Sequence, residues 1–179
     1  MALLYFTTLR LFFFSAKPPL ESHSLAGVVL LLGVSTSNIL LALRRRSHYL
    51  LALALIMAYT TALVVGTTWF VFGLLLVLSV FVSEVRVRLQ ATGVMMTGIT
   101  LTVLTHFVWA INNPILGNPL TFVTTPQVNI YLLLIYAVVF GVGVLRRSDH
   151  RQEDFPIALT SFLSAAGSYS VFLLLTLVS

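Results

Sequence analysis

From Ser47 to Ser83 the chain carries no Asp, Glu, Lys or Arg, and most of that stretch is Leu, Val, Ala, Phe and Ile. Water does not solvate such a run, and hydrocarbon admits only helices or closed barrels, whose backbone polar groups are satisfied internally. The apolar residues are continuous rather than alternating, unlike barrel strands. The run is also too long for one crossing, because about 20 residues at 1.5 Å rise span a hydrocarbon core of about 30 Å. It reads as two helices turning tightly at Gly66-Thr67-Thr68.

The rest of the chain extends this pattern. Apolar stretches at 25–43, 49–66, 69–83, 91–111, 129–145 and 156–178 predict six transmembrane helices. With 59% hydrophobic and 8% charged residues, against about a quarter charged in a soluble domain, the fold class is an all-α integral membrane protein. The expected organisation is one membrane domain over 1–179: a short N-terminal helix and linker (1–24), three hairpins (25–66, 67–111 and 129–179) and an outer loop (112–128). Pro156 suits a first helical turn, where its missing N–H costs nothing. Pro114, Pro119 and Pro126 exclude a helix continuing through the outer loop. Its Ile115, Leu116, Leu120, Phe122 and Val123 point to a loop lying at the interface or against protein.

Charge marks the joints. Arg44, Arg45 and Arg46 follow the first span, Arg86 and Arg88 the third, and Arg146, Arg147 and Arg151 the fifth, while the loops between carry no basic residue. The positive-inside rule counts Lys and Arg and gives acids little weight, so these joints are expected in the cytoplasm even where Asp149, Glu153 and Asp154 neutralise the last one. The C-terminus then faces outward, in a membrane expected to be the bacterial inner membrane. The formal charge of +5 is not a nucleic-acid signal, because the basic residues end apolar runs and form no surface interleaved with aromatics.

Residues 2–16 resemble a signal peptide only superficially, since Arg10 lies inside the apolar segment and no basic region precedes it. As a full span the segment would hold Arg10 near mid-membrane, at about 2.5–3.5 kcal/mol. An interfacial or half-inserted helix avoids that cost, with Phe6, Leu9 and Phe13 facing acyl chains.

The joints LALRRRSH (41–48) and GVLRRSDH (143–150) share apolar residues, an Arg cluster, Ser and His, as a duplicated hairpin would. Basic cytoplasmic turns also look alike without common ancestry. The runs LLALRRRSHYLLALALIMAYTTALVV and LLLIYAVVFGVGVLRRSDHRQEDFPIALTSFLSAAGSYSVFLLL resemble stretches of the large uncharacterised bacterial multi-span membrane proteins built of successive Arg-jointed helix hairpins. That resemblance implies the hairpin architecture and brings no activity, cofactor or site residue.

Chemistry is sparse. With no cysteine there is no disulfide, thiolate metal site or cysteine nucleophile. No GxSxG, HExxH or P-loop occurs, and GVGV at 141–144 lacks the third glycine and the strand-turn-helix setting of a dinucleotide site; such a fragment marks close helix packing or a fraying end. Bis-histidine haem needs two ligands at matched depth. Only His106 lies within a span, with His23 its sole plausible partner, since His48 and His150 border the cytoplasmic joints. No metal, cofactor or catalytic group is expected. The spans also lack the intramembrane carboxylate on which pumps and coupled carriers commonly rely.

What remains is uncharged polarity. Thr102, Thr105, His106 and Trp109 fall on one face of the fourth span, with Asn112 just beyond it, and Thr97 and Thr100 lie on the same span. Ser35, Ser37 and Asn38 lie in the first span, and Ser161, Ser164, Ala165, Gly167, Ser168 and Ser170 in the sixth. Small residues and hydroxyls at these positions serve helix packing. The sharper alternative is a polar pocket opening outward around His106, Thr102, Thr105, Trp109 and Asn112. The function expected is a non-catalytic accessory or scaffold subunit packing against other integral membrane subunits in the lipid bilayer. The alternative is a small carrier or channel for a neutral or lipidic solute.

Overall fold

A computed structural model of the chain describes residues 2–12, 25–65, 67–121 and 126–146, with residues 159, 160, 162, 164–167, 169 and 170. Its helices are α1 (Ala2–Phe12), α2 (Leu25–Arg44), α3 (His48–Val65), α4 (Thr68–Leu89), α5 (Thr92–Ala110) and α6 (Pro126–Leu145), with a 3-10 turn at Pro114–Leu116. The described residues contain no strand, and those between 159 and 170 are helical. Four helices, α2 to α5, are long and apolar enough to cross a membrane; the apolar part of α6, Tyr131–Val144, is shorter.

Left-handed residues set the boundaries. Arg46 (φ 51°), Gln90 (φ 55°), Asn112 (φ 65°) and Asn113 (φ 50°) follow the last turns of α2, α4 and α5, the position where glycine or asparagine commonly ends a helix. After α5, Asn112 N–H donates to the Trp109 carbonyl and Asn113 N–H to that of Val108, satisfying orphan carbonyls of the last turn. Pro126 takes the first position of α6.

α3 and α4 are the centre of the bundle. α3 packs on α2, α4 and α5, α4 also packs on α5 and α6, and α1 lies against α2. The core holds Leu55, Tyr59, Leu75, Val82, Met95, Ile99 and Phe140. Two helix crossings are closed by glycine. A Cβ on Gly98 would lie 2.6 Å from a Val82 methyl, and one on Gly143 would lie 2.9 Å from the Ser83 side chain. At these crossings α5 and α6 leave no room for a β-carbon against the α4 side chains. For the GVGV fragment, Gly143 shows the close-packing role.

Several expected boundaries move. The third span, expected at 69–83, continues to Leu89 as α4, so Arg86 and Arg88 stand in its last turn rather than in a loop. Glu and Arg propagate a helix well, and cations in a last turn complement its dipole. The helix expected from residue 129 begins at Pro126 as α6, which shortens the loop before it. In α1, Phe6 is exposed as expected, but Leu9 is buried with Tyr5, Leu31, Met57 and Val64. Tyr5 explains the difference, because its hydroxyl donates to the Met57 carbonyl at 2.6 Å and lies 2.9 Å from Thr61 Oγ1, docking α1 onto the α2/α3 pair. Phe13, His23, Arg147, His150, Arg151, Ser161, Ser168 and most of the expected sixth span lie outside the described residues.

Candidate functional site

The fourth-span polar residues converge as their spacing implied. Thr102, Thr105, His106 and Trp109 all point from α5 into the bundle and are buried, His106 at 0% exposure. Their surroundings are protein. Thr102 Oγ1 donates to the Gly98 carbonyl one turn back at 2.8 Å and lies 2.7 Å from the Tyr59 hydroxyl of α3. The His106 ring sits among Phe72 (5.4 Å between centroids), Trp109 (6.1 Å) and Tyr136 (6.1 Å), contributed by α4, α5 and α6. Phe72 and Trp109 close one side in an edge-on contact at 4.6 Å. Among the described residues neither imidazole nitrogen has a hydrogen-bond partner.

Asn112 does not join this group. Its side chain turns into the outer loop, donating to the Pro119 carbonyl at 3.3 Å and to Thr121 Oγ1 at 3.1 Å. Its neighbour Asn113 is the one turned inward, donating at 2.7 Å to the Leu63 carbonyl near the end of α3. Asn113 thus ends α5 and ties it to α3 at once. The sequence signal was Asn-Asn-Pro after an apolar helix, a stop motif with αL-tolerant residues.

A second polar group joins α1, α2 and α3. Thr61 is its hub, donating to the Met57 carbonyl at 2.9 Å and meeting Tyr5 at 2.9 Å and Ser35 at 3.2 Å. Tyr5 and Tyr59 were missed in the sequence, where aromatic residues in apolar runs give no sign of a specific partner. In the C-terminal segment Ser164 is buried, and a Cβ on Gly167 would lie 2.9 Å from Val103 of α5.

The described joint arginines gather at one end. Glu84 accepts from Arg88 Nε at 3.3 Å and from Arg146 Nη1 at 3.1 Å, linking the last turns of α4 and α6. Arg86 is buried and donates through Nη1 to the Gly143 carbonyl at 2.9 Å. Arg46 and Arg88 line a common cavity between the α2–α3 and α4–α5 turns, and Arg44 and Arg45 are exposed beside it. The opposite end carries the Asn113–Leu63 tie and the outer loop. Among the described residues no three His, Asp or Glu side chains group as metal ligands.

No family model matches the chain, and no curated protein or solved structure is significantly similar to it. Function must be argued from this geometry.

Proposed function

We propose that the protein is a non-catalytic integral membrane subunit that packs through α2 against another membrane protein. The observation carrying this reading is the outward face of α2. Of its span 28% is buried, less than the 56% of α3 and 50% each of α4 and α5; α6 is also largely exposed, so what sets the α2 face apart is its chemistry. Gly33, Thr36 and Ser37 are exposed on that face, and nothing among the described residues lies within 4 Å of a Cβ placed on Gly33. Small and hydroxylated residues gain little from acyl chains but let another helix approach closely and bond across the contact.

The interior agrees with a structural role. Thr61, Ser79 and Thr102 bond to backbone carbonyls one turn back, Thr61 and Thr102 also meet hydroxyls of neighbouring helices, and buried His106 is walled by aromatic rings. The same reading takes the six spans as three hairpins, the pattern the resemblance to Arg-jointed bacterial proteins implies, with α1 half-inserted beside α2 and α3. The clustering of Arg46, Arg88 and Arg146 at one end supports a single cytoplasmic side. With six spans that orientation puts the C-terminus outside, and the resemblance to bacterial multi-span proteins favours the bacterial inner membrane.

Blue-native electrophoresis after mild solubilisation tests the assignment. The expected result is a band well above monomer-plus-detergent mass that Gly33→Leu shifts down. A monomeric band for the unaltered chain contradicts it, and saturable liposome flux abolished by His106→Ala would favour the carrier reading instead.

A further inference from the structure

At the arginine-rich end, the α2–α3 and α4–α5 turns flank a cavity of about 320 Å³, open to the surface and lined by Arg46, Ser47, His48, Leu51, Arg88 and Gln90. We propose that this cavity is an anion site that takes a phosphate group, presented by an anionic phospholipid headgroup or as free phosphate.

Three observations converge on it. First, the lining side chains are donors of the right kind. Two guanidiniums offer planar, multiply donating groups suited to phosphate oxygens, and Gln90 and His48 add hydrogen-bonding groups. Arg46 makes no ion pair among the described residues, and Arg88 is held only by an exposed contact to Glu84 at 3.3 Å. Second, α3 starts at the cavity. Its first residue, His48, lines the space, so the positive end of an 18-residue helix borders it, with the Leu50 N–H already capped by Ser47 Oγ at 3.4 Å. The ends of α2 and α4 bring partial negative charge there, which the arginines outweigh as full charges.

The third observation is conformational. Arg46 and Gln90 both occupy the left-handed region, at φ 51° and 55°, where glycine or asparagine is the ordinary residue. Both helix-ending positions therefore keep a long polar side chain at a conformational cost, and both side chains line the same cavity. Local strain of this kind collects where side chains serve a ligand. The site stands whether or not α2 packs on a partner.

The left-handed backbone also supplies a clean test. Arg46→Gly removes the guanidinium and relaxes the backbone, so the melting temperature is expected to hold or rise. The full chain would be placed in nanodiscs of equal phosphatidylglycerol and phosphatidylcholine, and retained lipid counted by native mass spectrometry. Preferential retention of phosphatidylglycerol, reduced at least tenfold in both Arg46→Gly and Arg88→Gln, supports a headgroup site. In a second arm, inorganic phosphate is titrated onto detergent-purified protein; Arg46-dependent saturation at millimolar phosphate, without lipid preference, supports the same site with a free ligand. Overturning results are equal retention of the two lipids with no phosphate saturation, or binding of either ligand that Arg46→Gly leaves unchanged.

Discussion

His106→Leu should cost the protein far less stability than His106→Ala. The ring has no exposed surface, and neither of its nitrogens has a partner among the described residues. A buried polar group left unpaired costs about 1–3 kcal/mol, and Leu removes both nitrogens while nearly conserving volume. Against this stands the loss of ring contacts to Phe72, Trp109 and Tyr136, each aromatic pair being worth about 0.5–1.5 kcal/mol beyond area. Polar terms are also smaller within bilayers, where side-chain hydrogen bonds average about 0.6 kcal/mol. Halved on that ground, the polar gain from removing two unpaired nitrogens is about 1–3 kcal/mol, against about 1.5–4.5 kcal/mol for the three ring contacts, so the two terms largely cancel. Reversible unfolding by SDS in bicelles measures the balance, with His106→Ala as contrast, since the void it leaves should destabilise by about 2–4 kcal/mol. If His106→Leu instead destabilised as much as His106→Ala, the imidazole would have a partner that this arrangement lacks. The reading of the site as sealed packing would then fall.

Other consequences follow from the contacts. Gly98→Val should cost about 1–3 kcal/mol by overpacking, and Val82→Ala should recover much of that loss in the double variant, because the added Cβ meets Val82 at 2.6 Å. Tyr5→Phe should loosen α1, with protease accessibility of residues 2–12 increasing while the α3–α5 core keeps its unfolding midpoint; an unchanged cleavage pattern would refute docking through Tyr5. Asn113→Ala removes both a 2.7 Å bond to Leu63 and a residue tolerant of φ 50°, and should cost about 1–2 kcal/mol. Asn113→Gly keeps the backbone conformation and should lose only the hydrogen-bond part, so equal losses in both would remove the conformational argument.

Much of the fold was legible because hydrophobic runs and charged joints are set by the solvent. Helices α2 to α5 fall where continuous apolar residues lie, and Gly66-Thr67-Thr68 was read as a turn before the helix at Thr68. Boundaries were less legible. Glu84, Arg86 and Arg88 look like loop residues by charge, yet they are good helix formers, and α4 ends only where Gln90 turns left-handed. Of the site, the helical spacing of Thr102, Thr105, His106 and Trp109 placed them together correctly, because a period of 3.6 fixes a face. It did not say what that face meets. Tyr59, Phe72 and Tyr136 come from other helices, and Asn112 and Asn113 differ in direction through two successive left-handed residues that periodicity does not encode.

The most direct test of an α2 docking face uses the absence of cysteine in the chain. Gly33→Cys, labelled with benzophenone maleimide and irradiated in native membranes, should give one discrete adduct with another integral membrane protein. Val138→Cys on exposed α6 should give lipid adducts alone. Lipid adducts alone from both positions would contradict the assignment of this chain as a subunit docked through α2.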